Sequence, residues 1–396
     1  MLYKRVNLGI TLNATALLLA LLALDPQTIP TVIYKTSVEP LTIAVVLATF
    51  GIMLLSQLYK LTGIIGSLSD SLDKIINNPK IVSSMLPAIV GFLPVAGGAL
   101  MSAPLVDSQT EKLGLKPEKK AYVNIWFRHT IFPVYPLGQV LVITAALTGV
   151  ALPSIILRQI PVVVVMIAVG FLISFWGASK TSGEELLKTN QRRGLSEVRR
   201  FLVAFSPILV TIVVVIAIEL AGLGLAGIGF DVFVATIVGI VVLLLISKPS
   251  SRVFVASVKG WQIYGVTLAA YGAFLLRNVT VATGISEILK AFVANGSVDV
   301  IVLLTVVPAV LGFVTGSPSG GVAISVSILS GLLVFSPKTA ALLFMGAYLG
   351  YLVVPSHLCL AFTVDYFKCS MEKVYKYIIP SFLVSFAAAL LVFLVF

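Results

Sequence analysis

The stretch PAIVGFLPVAGGALMSAP at residues 87–104 has a near copy 221 positions later, PAVLGFVTGSPSGGVAISV at residues 308–326. Each copy carries a glycine pair followed by a serine. Both are apolar enough to enter a bilayer, yet Pro, Gly and Ser interrupt them too often for an ordinary spanning helix.

The likeness extends outward from the phrases. Residues 42–92, moved forward by 221 positions, fall on 263–313 without a gap, matching Gly51 to Gly272, Thr62-Gly63-Ile64 to Thr283-Gly284-Ile285, Pro87 to Pro308, Gly91 to Gly312 and Phe92 to Phe313. Apolar composition alone yields chance matches of Leu, Val and Ala, but not of Gly and Pro at one fixed offset. The chain therefore reads as an internal duplication. Beyond Phe92 the offset becomes 223, which lays Gly97-Gly98 on Gly320-Gly321 and Ser102 on Ser325.

Of the 396 residues 59% are hydrophobic and only 11% charged, about half the charged fraction of a soluble domain. Apolar stretches long enough to span a bilayer recur at about 6–25, 40–60, 121–149, 153–176, 200–222, 226–247, 259–277, 339–366 and 376–396. That predicts an all-α polytopic membrane protein with about nine transmembrane helices, the two quoted phrases being segments of another kind. The first span follows MLYKR but is trailed by no small-residue cleavage site, so it reads as a helix and not as a signal peptide.

The formal charge of +11 reflects topology and not a nucleic-acid partner. With the N-terminus in the cytoplasm, the cytoplasmic loops hold Lys112, Lys116, Lys119 and Lys120, the basic run from Lys180 to Arg200, then Lys248, Arg252 and Lys259, and finally Lys368, Lys373 and Lys376. The opposite loops hold little beyond Lys35, Arg158, Lys290 and Lys338, which is the positive-inside pattern of a multi-pass protein of the cytoplasmic membrane. Cys359 and Cys369 fall in or near the last cytoplasmic loop and its helix, where no disulfide is expected, and two His with two Cys offer no metal-ligand cluster. No cofactor is expected apart from a sodium ion.

The counterpart of the helix at 6–25 comes five spans later, at 226–247, and an odd number of crossings reverses direction. The repeats, 1–176 and 223–396, are thus predicted to be inverted about a cytoplasmic loop and linker helix at 177–222. The phrases become re-entrant hairpins, 81–107 entering from the cytoplasm and 300–330 from outside. Non-helical backbone at membrane depth is tolerated only beside protein or a water-filled cavity. Two hairpin tips meeting near the midplane are how inverted-repeat transporters build a binding site.

Candidate site residues follow from that geometry. Gly97, Gly98, Gly320 and Gly321 permit close backbone approach, and half-helices starting beyond them aim N–H groups at a small anion. Ser102, Ser319 and Ser325 add hydroxyls, and carbonyls around Gly97, Ser102, Gly320 and Ser325 can hold sodium. Close helix packing is the other use for such glycines. Each hairpin precedes a long helix interrupted by proline, at Pro133 and Pro136 in one and at Pro355 in the other. Arg128 and His129 lie inside the first and His357 follows the break of the second. Intramembrane ionisable groups are functional candidates; Arg128 can alternatively snorkel to the surface, and each histidine can be a packed, hydrogen-bonded one. GSPSGG with His357 downstream also suggests a serine hydrolase, but the serine is not at the third position of G-x-S-x-G.

At PVAGGALMSAPLVD, WFRH and PSHLCLAFTVDYF the sequence resembles an uncharacterised prokaryotic family of integral membrane proteins that carries only a domain-of-unknown-function label. That family is grouped with the ion transporter superfamily of gluconate, lactate, citrate and TRAP-type dicarboxylate permeases. The resemblance implies an elevator mechanism, a homodimer in many members, and sodium or proton coupling for organic anions. Dicarboxylate carriers often place Ser-Asn-Thr at the hairpin tips, whereas here the tips hold Gly-Gly and Ser without Asn, so the resemblance does not extend to dicarboxylate specificity. The expected function is a secondary transporter of a small organic anion and not an enzyme. The alternatives are a facilitator or flippase for a lipid-linked substrate and, third, a membrane-embedded hydrolase.

Overall fold

The computed structural model describes residues 7–76, 78–92, 98–177, 195–221, 229–284 and 299–395. Every regular element among them is a helix. Seven are long and apolar enough to cross a membrane: Pro40–Thr62, Pro117–Thr148 with an internal break, Leu152–Phe175, Leu195–Ile218, Phe230–Ser247, Ser251–Ala282 and Met371–Val395. Leu157, Leu172, Leu245 and Leu391 are among the many large apolar side chains left exposed on these helices. That surface suits lipid and not water. The chain is a multi-pass membrane protein.

Two of the nine expected spans take a different form. Leu8–Ala23 has 16 residues, about 24 Å of helix against a hydrocarbon core of about 30 Å. The stretch expected as one span at 339–366 is divided into Pro337–Leu352 and Leu358–Tyr366. A short helix not expected from the sequence, Ile29–Val38, packs on Trp261–Ala282 through Ser37 Oγ to Tyr271 Oη at 2.8 Å.

Residues paired by the 221-position offset hold matched structural positions. Gly63 and Gly284 end their helices with φ of 73° and 71°, a left-handed conformation that glycine adopts without strain. Asn78 and Asp299 each cap the first limb of a hairpin, accepting from the N–H groups of Lys80 at 3.0 Å and Ile301 at 2.6 Å. These limbs, Pro79–Gly91 and Val300–Thr315, each contain the matched internal proline, Pro87 or Pro308. Their return limbs are Ala99–Glu111 and Pro318–Leu329, and each hairpin packs on the broken helix that follows it. Gly91 abuts the backbone of Arg128, and Gly312 abuts that of Ala347.

The halves also exchange helices. Gly51, in Pro40–Thr62, faces Thr236 of Phe230–Ser247, whereas Gly272, in Trp261–Ala282, faces Leu12 and Asn13 of Leu8–Ala23. Each half's first helix is therefore seated on the other half.

The centre of the protein is formed by Pro117–Thr130 and Pro337–Leu352, buried along most of their length. Both start with proline at the first position, where its missing N–H costs nothing. Helical geometry gives way over 131–138, apart from one tight turn at Phe132–Val134, and again over 353–357. Pro133, Pro136 and Pro355 lie in these interruptions, where their rings and missing N–H groups oppose helix continuation.

Candidate functional site

The two helix breaks and the tip of the second hairpin enclose a cavity of about 340 Å³. Arg128 and His129 reach it from the last turn of Pro117–Thr130, Tyr348 and Tyr351 from Pro337–Leu352, and Gly316, Ser317 and Pro318 from the hairpin turn. Arg128 is 1% exposed, far inside and not snorkelling. The Gly98 backbone lies directly against its guanidinium, with no room for a β-carbon between them. The first hairpin's return limb thus starts on the residue that gives the cavity its fixed positive charge.

Around His129 is an aromatic shell. Its ring lies 5.5 Å from Phe132, 6.2 Å from Tyr351 and 4.7 Å from His357, the last edge to face at 83°. His129 Nδ1 donates to the Ile125 carbonyl at 2.7 Å. Tyr348 Oη donates to the His129 carbonyl at 2.6 Å, which ties the two broken helices together beside the cavity. His357 stacks obliquely on Tyr351 at 4.2 Å.

At the opposite hairpin tip, Gly316 turns the chain with φ 62° and Ser317 caps Pro318–Leu329. That helix's N-terminal end faces the cavity through Ser317 and Pro318, so its dipole places partial positive charge there. The cavity wall comes from Gly316 to Pro318, one turn before the expected glycine pair. Gly320 abuts Thr315, and Gly321 abuts Gly312, where a β-carbon would sit 2.8 Å from the Gly312 nitrogen. These two glycines let the hairpin limbs close on each other, and neither they nor Ser319 line the cavity. Ser325 is fully buried and its hydroxyl has no hydrogen-bond partner among the described residues.

Ser102 also lies off the cavity wall. It donates to Asn124 Oδ1 at 2.6 Å, while Asn124 Nδ2 donates to the Ala99 carbonyl at 2.9 Å and to Thr363 Oγ1 at 3.1 Å. This buried network joins the first hairpin, the first broken helix and the far segment of the second. Gly97 lies outside the described residues. Asp365 is exposed and pairs with Lys368 at 3.0 Å.

A family model described as a protein of unknown function, DUF401, matches residues 1–396. The chain belongs to the DUF401 family. No curated protein matches it. In this DUF401 chain Arg128, His129 and, through His129 and Tyr351, His357 come together as the sequence singled them out individually. Tyr348, Tyr351, Cys359 and Asn124 were missed. Asn124 had a signal, a lone amide one turn before Arg128 in an apolar run; the tyrosines and the cysteine had none.

Proposed function

We propose that the protein is a secondary active transporter that moves a small organic anion across the cytoplasmic membrane, driven by a sodium or proton gradient. The observation that carries this reading is the buried Arg128 on the wall of a cavity built where two helix breaks and a hairpin tip converge. A guanidinium keeps its charge when poorly solvated and can grip a carboxylate or phosphate through two parallel N–H bonds. The hairpin helix adds its positive end from the other side. A volume of about 340 Å³ falls at the small end of ligand pockets, about 300–1,000 Å³, and the tyrosine and phenylalanine walls suit a short carbon skeleton.

On this reading the hairpins are re-entrant from opposite faces and the N-terminus is cytoplasmic. The hairpins and broken helices move as an elevator past the remaining helices. Substrate docks against the Arg128 guanidinium and is carried with it.

The test has two arms. In detergent, a panel of short-chain carboxylates and phosphate esters is titrated calorimetrically; the panel's best binder should lose roughly 10–100-fold in affinity in Arg128→Lys, as expected for a charge-assisted contact worth about 1.5–3 kcal/mol. In proteoliposomes, uptake of that compound should follow an imposed sodium or proton gradient and ignore ATP. Unchanged binding in Arg128→Lys would remove the arginine from the site. Flux indifferent to both gradients would make the protein a facilitator or channel.

A further inference from the structure

Beside the cavity three groups come together whose chemistry the anion reading does not use. His129, His357 and Cys359 are all buried, and one ligand-capable atom from each lies within 4.8 Å of the other two. His129 belongs to the first half of the chain, and the other two lie at the end of the break in the second half and just beyond it. Each is in a state suited to binding a metal. The Ile125 carbonyl can only accept a hydrogen bond, so His129 Nδ1 carries the proton and Nε2 keeps a lone pair. A backbone acceptor on the far nitrogen is the usual way a metal-binding histidine is oriented. His357 is 2% exposed and, apart from a loose backbone contact with Leu352, its ring nitrogens have no hydrogen-bond partner among the described residues. A ring nitrogen without a partner in a dry interior is destabilising, and a metal bond would offset that. Cys359 is a free, buried thiol that faces the cavity.

We propose that His129 Nε2, one ring nitrogen of His357 and the Cys359 thiolate form a three-coordinate site for a soft monovalent metal ion of the Cu(I) type, open toward the cavity. Two imidazoles and a thiolate are soft or borderline ligands that discriminate against sodium, magnesium and calcium. Metal bonds to such atoms are about 2.0–2.3 Å long, so a contraction of roughly 1 Å closes the group on an ion. Charge selects the monovalent ion. Binding converts the Cys359 thiol to a metal-bound thiolate and releases its proton to solvent, so M⁺ enters, H⁺ leaves, and the net charge of the wall is unchanged. A divalent ion would leave one extra positive charge beside Arg128, the residue next to His129, in surroundings that solvate charge poorly. No oxidation or reduction is involved. The site shares a wall with the anion cavity, but it is read by metal binding alone and stands whatever that cavity carries.

The experiment titrates Cu(I) into the full-length, detergent-purified, reduced protein under anaerobic conditions, with bicinchoninate as the competing chromophore. One Cu(I) per chain is expected, with an X-ray absorption spectrum showing one sulfur and two imidazole nitrogens. Cys359→Ser should weaken binding by more than the roughly 10–100-fold lost when only a supporting partner of a ligand is removed. His357→Gln should weaken it comparably, and Cys369→Ser should leave it unchanged. The spectrum of the unsubstituted protein decides the matter even where a variant fails to fold. No Cu(I) withdrawn from bicinchoninate, a two-sulfur spectrum, unaltered binding in Cys359→Ser, or Zn(II) held in preference to Cu(I) would each overturn the assignment.

Discussion

The Arg128 guanidinium is packed onto the backbone of Gly98, so that a β-carbon at that glycine would stand 2.8 Å from Cζ. Gly98→Ala should therefore either displace the arginine or strain the hairpin, at about 1–3 kcal/mol for overpacking a filled interior. Substrate affinity should fall with it. Gly66→Ala is the matching control: this glycine sits within the helix Ile64–Ile75 with open space around it, and the change should be neutral or stabilising by up to about 1 kcal/mol. Thermal unfolding in detergent, with calorimetry on the folded variants, reads both. A Gly98→Ala protein equal to the parent in stability and affinity would show that the contact is unimportant.

The exchanged helices predict a suppressor. Gly51→Ala would drive a methyl group into Thr236 Oγ1 and should destabilise by about 1–3 kcal/mol. Thr236→Ala removes the Oγ1 that the methyl meets first, and the double variant should recover part of the loss. Contacting residues depart from additivity in this way, whereas distant ones add. Strict additivity in a double-mutant cycle would count against the packing.

Topology can be read by labelling at the hairpin bases. Lys116→Cys follows the first hairpin and Val334→Cys the second, both exposed, in a background lacking Cys359 and Cys369. Membrane-impermeant maleimide applied to one side of sealed vesicles should reach one position, and applied to the other side should reach the other. Both positions labelling from the same side would rule out inverted repeats.

Cys369, outside the spanning helices, gives a pH prediction. Burial pushes its thiol above the ordinary range, and the Glu118 carboxylate adds to the shift. The thiolate is the reactive form, so near neutral pH Cys369 should alkylate more slowly than a peptide thiol and should continue to accelerate with pH after the peptide has levelled off. Glu118→Gln lowers the thiol back toward its ordinary range and should speed the reaction at pH 8. An unchanged rate in that variant would mean that the carboxylate does not act on the thiol.

What could be read from the sequence was set by what leaves a mark in one dimension. Gly63 with Gly284, Gly91 with Gly312 and Pro87 with Pro308 stood out because backbone demands tolerate few substitutes, so their spacing survives where leucines and valines drift. Proline likewise marked both helix interruptions. The meeting of His129, His357 and Cys359 was not legible, because it depends on which faces of two helices, more than two hundred residues apart, turn toward each other. The same holds for Ser102, Asn124 and Thr363. Gly320 and Gly321 were read as a binding tip, but the hairpin limbs close over them at Gly312. A glycine that admits a ligand and one that admits a neighbouring backbone look alike in sequence, and only the packing separates them.

The seating of Leu8–Ala23 on Trp261–Ala282 has a consequence for how the protein is made. Asn13 Nδ2 donates to the Leu268 carbonyl at 2.9 Å as well as to Gly9 within its own helix at 2.8 Å, and the Asn7 side chain lies against Gly265. At about 5–20 residues per second, the ribosome takes roughly 15–50 s to deliver that surface after the first helix has emerged. Throughout that interval a helix too short to cross the bilayer comfortably must wait at the membrane with Asn13 lacking its Leu268 acceptor. A nascent chain interrupted before residue 282 therefore presents a ready target for membrane quality control, and the two halves of this protein are committed to maturing together.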